Sequence, residues 1–136
     1  MAEILFDLMI CFKIETNDEI DTITNILNIN PTDYILKGVS RSVVLEPAEK
    51  NVWMYDKKYR NCNSIETLLQ NFFEDIPNLF NKIGELKAYG EISIRLSIIS
   101  DFAQIGFTLS EKDIKYLNCL NIPVEISIFS WGGCIE

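Results

Sequence analysis

No histidine occurs among the 136 residues of this chain, so any chemistry here has to be built from carboxylates, thiolates and lysines. Histidine is the side chain that titrates unperturbed near neutral pH, the commonest general base and the commonest metal ligand. Its absence removes Ser-His-Asp and Cys-His nucleophile pairs and every mixed Cys/His zinc site. The four cysteines, Cys11, Cys62, Cys119 and Cys134, are far apart and form no C-x-x-C pair. Free cysteine is among the most buried residue types, and disulfides are rare in the cytosol. Nothing near these thiols in sequence lowers a pKa, so reduced, partly core cysteines are expected rather than a catalytic thiolate. Acid pairs such as Glu74-Asp75, or Glu111 with Asp113, lack the D-x-[DN]-x-[DN]-G spacing of a calcium loop. Gly84, Gly90, Gly106, Gly132 and Gly133 match neither G-x-G-x-x-G nor G-x-x-x-x-G-K-[ST], which argues against a nucleotide cofactor. No catalytic residue, metal ligand or cofactor is assigned. The chain reads as a binding protein, not an enzyme.

Charge narrows the choice of partner. The net charge is −8 and is unevenly spread. Residues 1–36 carry Lys13 against seven acids, a balance of −6, residues 37–60 carry +3, and residues 61–136 carry −5. An acidic chain repels phosphate backbones, which disfavours nucleic acid, and attracts a basic protein surface. Glu15, Asp18, Glu19 and Asp21 are the densest acidic cluster and the first candidate contact. Lys57, Lys58 and Arg60 read as a solvated loop.

The elements that position these groups follow from hydrophobic period. Ile4, Phe6, Leu8, Ile10, Phe12 and Ile14 take every second position, a long strand with one apolar face. The stretch Ala2 to Ile14 carries Glu3 and Asp7 where a signal peptide is basic, so it is read as structural and the protein as cytoplasmic. Asn17 and Asp18 offer caps for a helix over Ile20, Ile23, Ile26 and Leu27, ended by Asn28 to Pro31. Arg41 to Leu45 and Asn51 to Tyr55 read as two strands joined by a turn at Pro47. Asn63 with Glu66 resembles a capping box. The three/four-spaced stripe behind it, Ile65 to Leu86, is a helix that Pro77 must kink or split. Ile92, Ile94, Leu96 and Ile98 alternate with Ser93, Arg95 and Ser97, a half-buried strand. Ser110 with Asp113 starts a short helix, and Val124, Ile126 and Ile128 mark a last strand.

No linker, repeat or apolar run of the ~18 residues needed for a membrane span appears, and residues 1–136 read as a single domain. The order implies an α+β fold: a ferredoxin-like βαββαβ antiparallel sheet with helices on one face, extended by a C-terminal αβ unit. The alternative is a more open α/β sheet in which residues 40–55 are a loop. Ser93, Arg95, Ser97, Glu125 and Ser127 would form a polar patch on the exposed sheet face. Trp53 is expected in the core. Trp131, beyond the last strand, either covers the end of the sheet or faces a partner.

Along the chain come Leu27-Asn28-Ile29-Asn30-Pro31-Thr32, then Lys37-Gly38, Trp53, the helix from Ser64, the Ile/Ser-rich strand from Glu91, Leu109-Ser110 and Val124 to Ile128. In these residues the layout resembles domain-of-unknown-function family 4279. The resemblance covers residues 8–129 and implies a small bacterial cytosolic domain of a kind found among immunity proteins of toxin systems. The expected partner is then a cognate toxin domain, of nuclease class, with a basic surface. The contacting residues would be Glu15, Asp18, Glu19, Asp21 and Trp131. The competing expectation is a small-molecule sensor or accessory domain with a pocket lined by Trp53, Tyr55, Tyr59 and Tyr89.

Overall fold

A computed structural model describes residues 5–62, 65–100 and 106–130. The element order is β1 (Phe6–Thr16), α1 (Ile20–Leu27), β2 (Asp33–Ile35), β3 (Asn51–Cys62), α2 (Glu66–Glu74), α3 (Leu79–Leu86), β4 (Gly90–Ser100), α4 (Glu111–Leu120) and β5 (Val124–Ser130). This is a mixed α+β fold in which five strands form one sheet in the order β2-β3-β1-β4-β5. The β2–β3, β3–β1 and β1–β4 pairs are antiparallel. The β4–β5 pair is parallel, so the sheet is mixed rather than wholly antiparallel. A parallel neighbour needs a crossover, and α4 supplies it.

The strict alternation of β1 fixes which way the sheet faces. Phe6, Leu8, Ile10, Phe12 and Ile14 are buried, and the intervening residues Asp7, Met9, Cys11, Lys13 and Glu15 are half-buried on the other side. The buried set joins Ile92, Ile94, Leu96 and Ile98 of β4 and Trp53 of β3 beneath the helices, which contribute Ile23, Leu27, Leu69, Phe72, Phe73, Leu79, Ile83, Leu86 and Leu120. Phe12 meets Trp53 edge to face at 6.1 Å. The indole Nε1 donates to Thr24 Oγ1 of α1 at 3.1 Å, so the one polar atom of this buried side chain is satisfied.

Pro77 splits the long apolar stripe into α2 and α3. Asn78 then ties the break to α1 by donating from Nδ2 to the Leu27 carbonyl. Asn28 ends α1 in the left-handed region, its N–H donating to the Thr24 carbonyl at 2.8 Å. The Ser110 and Asp113 capping box forms in both directions at the start of α4. Gly90 is required by close approach: a Cβ there would lie 1.9 Å from the Glu15 carbonyl oxygen.

Three expectations are corrected. Glu19, not Asn17 or Asp18, is the N-cap of α1, and its side chain makes no capping bond. The Asp18 N–H instead turns back to Thr16 Oγ1 at 3.0 Å, while that hydroxyl donates to the Tyr89 carbonyl at 2.7 Å. The hairpin of residues 41–45 with 51–55 does not form. On its side away from β1, β3 pairs with the three-residue β2, and residues 36–50 are a loop. Strand propensity in Val43-Val44-Leu45 has no neighbouring strand to act against, and such propensity is mostly packing. Lys57, Lys58 and Arg60 lie in β3 rather than in a loop. Lys57 on the covered side reaches Asp75 at 2.6 Å and stands over the Tyr59 ring, which lets a charged run continue a strand. Asn63, the start of the proposed capping box around α2, lies outside the described residues, as do Trp131 and Cys134.

Candidate functional site

The loop of residues 36–50 is held at its base and bare at its tip. Gly38, with φ of 85°, takes a left-handed turn open to glycine and donates to the Ala48 carbonyl at 2.8 Å. Ala48 returns a bond to the Val39 carbonyl at 2.9 Å. Arg41 pairs with Asp33 of β2, and the guanidinium holds that carboxyl below the ordinary aspartate range. At the tip, Leu45 donates to the Ser42 carbonyl at 3.2 Å and closes a turn over Val43 and Val44. Val43 is fully exposed and Val44 is 85% exposed, with Leu45 and Leu36 also open to solvent.

Asn51 joins this loop to the acidic turn. Its Oδ1 accepts from the Lys37 N–H at 2.8 Å, and its Nδ2 donates to the Asp18 carbonyl at 2.9 Å. Beside it, Glu19, Asp21 and Thr24 of the first helical turns line a notch of about 510 Å³ with Pro31, Tyr34 and Leu36. Tyr34 is 54% exposed there. The structure therefore brings together Glu19 and Asp21, with Asp18 at the adjoining turn. It does not bring Glu15 to them. Glu15 lies on the uncovered face of the sheet, paired with Lys13 at 3.3 Å and opposite Glu91 in register.

The uncovered face carries the polar patch expected from sequence. Arg95 donates to both carboxylate oxygens of Glu125 at 3.0 and 3.1 Å. Asp56 and Cys11 are neighbours on this face, and the Cys11 thiol is pushed up to about 12, first by burial and then by the Asp56 carboxylate beside it. Such a thiol is protonated at neutral pH and a poor nucleophile. Cys62 is buried and likewise raised, chiefly by burial, and Cys119 is exposed; the three described cysteines are free.

Two of the four aromatics expected to line a sensor pocket are taken up by packing. Trp53 is sealed in the core, and Tyr55 packs on Phe72 at 5.7 Å. Among the described residues no cluster of three metal-ligating side chains occurs. No helix among them is long and apolar enough to cross a membrane. Sequence reasoning missed the loop tip and Asp56. The first looked like a strand, and the second stood in a charged run.

Comparisons with curated proteins and with solved structures returned no match. A family model described as "Domain of unknown function (DUF4279)" matches residues 8–131. The matched stretch runs from β1 through β5 and takes in every element that builds the loop, the notch and the open face. The chain belongs to that family.

Proposed function

We propose that the chain is a protein-binding module and that the loop of residues 36–50, with the adjoining acidic notch, is its contact surface. The single observation that carries this reading is the anchored loop that presents Val43, Val44 and Leu45 to solvent. Exposed apolar residues grouped on one feature, rimmed by charge, have the composition of an interface with an apolar centre and polar rim. The acidic part of the rim is Asp18, Glu19 and Asp21 beside the loop, while the loop itself carries Lys37, Arg41 and Lys50 against Glu46 and Glu49.

The partner that fits is a basic protein surface, and the net charge of −8 supports steering toward one. In this reading the chain is an immunity protein that acts in the cytoplasm and holds a cognate bacterial toxin domain, nuclease-like in its basic surface, inactive by occluding it. It needs no catalytic residue or cofactor of its own. The first four strands, with β3 lying between the parallel β1 and β2, fit the ferredoxin-like path, with α4 and β5 as its extension.

Co-expression with the proposed cognate toxin domain, sought first in the genes adjoining its own, tests the reading. Cells should survive, and the two chains should purify as a stoichiometric complex. Survival lost together with complex formation in a Val43→Ser/Val44→Ser variant would support the loop as the contact. No complex and no protection with the wild-type chain would overturn the proposal.

A further inference from the structure

The open face of the sheet carries a cavity of its own, separate from the loop tip. Asp56 of β3, Cys11 of β1, Arg95 of β4 and Glu125 of β5 are successive register partners and form one row across four strands. The row lies in a cavity of about 430 Å³ that also takes in Met9, Lys13, Val52 and Met54, with Arg41 of the loop at its margin. That volume is in the range of small-ligand sites.

Its cations are already engaged. Lys13 is held by Glu15, Arg41 by Asp33 and Arg95 by both oxygens of Glu125. One carboxylate is left over. Asp56 Oδ1 is buried and accepts no hydrogen bond. A buried acceptor without a donor costs free energy, more so when it belongs to a charged group. Lys13, Arg41 and Arg95 stand against Glu15, Asp33, Asp56 and Glu125 in the cavity lining, which leaves one negative charge. The Cys11 thiol beside Asp56 is a neutral and weak donor, so what this site lacks is a cationic one. The described residues place no three ligating side chains together for a metal ion, and Met9, Met54 and Val52 offer an apolar bed that a hydrated inorganic ion would not use.

We propose that this cavity binds a small organic cation, a primary ammonium or guanidinium on a short aliphatic stem, with its head donating to Asp56 Oδ1 and its stem along Met9, Val52 and Met54. The uncharged stem gains burial, and the head supplies the missing donor in a charge-assisted hydrogen bond.

The chain has three methionines, so ε-methyl NMR of the full-length protein isolates Met9 and Met54. Titration with pentylammonium or butylguanidinium should shift both signals saturably and give contacts from the probe's methylenes to both methyls. Pentanol, with the same stem and no charge, and pentanoate, with the opposite charge, should bind at least tenfold more weakly. Asp56→Asn should weaken the cation at least tenfold, with an unchanged amide spectrum elsewhere confirming the fold. If that variant does not fold, the comparison of the three probes on the wild-type protein decides. Pentanoate binding as well as pentylammonium, equal binding by Asp56→Asn, or shifts that never saturate would overturn the site. None of these outcomes involves a protein partner, so they leave the loop reading untouched.

Discussion

The two faces of this sheet are made from alternate residues of the same strands, and they solve opposite problems. On the covered face, Phe12 and Ile14 of β1 meet Trp53 and Ile92 with essentially no solvent exposure. On the uncovered face, the residues between them, Cys11, Lys13 and Glu15, sit among ion pairs and a carboxylate with an orphaned oxygen. The first arrangement stabilises by removing apolar area from water, at roughly 25 cal/mol per Å². The second gains little: an exposed pair such as Arg95–Glu125 contributes about 0.2–1 kcal/mol. Stability is concentrated on one side of the sheet, which leaves the other side and the loop beside it free to carry recognition.

Truncation on each face tests that asymmetry most severely. Phe12→Ala should cost about 3–5 kcal/mol in urea unfolding, a large part of the stability of a domain this size. Met9→Ala, three residues away and facing outward, should cost about 1 kcal/mol or less. Similar losses for the two would dissolve the contrast between the faces.

Thiol chemistry sharpens the same comparison. In a Cys134→Ser background, a neutral alkylating reagent at pH 8 should modify exposed Cys119 first. Cys11, raised to about 12 by burial and by Asp56, should react on the order of a thousandfold more slowly than an ordinary thiol. Mass spectrometry of timed digests reads both rates. Fast labelling of Cys11 would mean that its side of the sheet is more open than described.

The smallest effect expected is at the base of the loop. Arg41 lowers the Asp33 pKa, so the carboxylate is favoured in the folded chain. The contribution is present above the ordinary aspartate pKa and is lost as pH falls through the depressed folded value. Since both side chains are well exposed, the change should be a loosening of the loop with no unfolding. The Arg41 side-chain NMR signals should titrate with Asp33 while the core signals stay fixed. A core that unfolds in the same step would contradict the separation of loop from core.

Much of this was legible in the sequence, for reasons that also explain what was not. Ile92 to Ile98 and Phe6 to Ile14 announce their strands because each has one wholly apolar face and a partner on both sides. Pro77 and the Ser110–Asp113 box act within a turn or two, so their effects are local and readable. β2 is three residues long, too short for any period to register, and its pairing with β3 is set by tertiary contact. Val43-Val44-Leu45 has a strand's composition but no neighbour, which only the folded chain reveals. The acidic cluster was visible as composition. That Glu15 parts from Glu19 and Asp21 follows from strand β1 ending before the helix begins, and puts them on different sides of the molecule's sheet layer. Asp56 gave no signal at all, because burial of one carboxylate oxygen depends on side chains from neighbouring strands.

The central claim is that recognition belongs to the loop and its acidic rim while stability belongs to the covered face. Association kinetics with the proposed partner, a purified toxin domain of basic surface, test it most directly, comparing wild type, Val43→Ser/Val44→Ser and Glu19→Lys/Asp21→Lys at low and high salt. The account predicts that the loop variant dissociates at least tenfold faster, and that the charge reversal associates several-fold more slowly with a weaker salt dependence. Both variants should keep the wild-type unfolding free energy to within about 1 kcal/mol. Wild-type rates in both variants would contradict it.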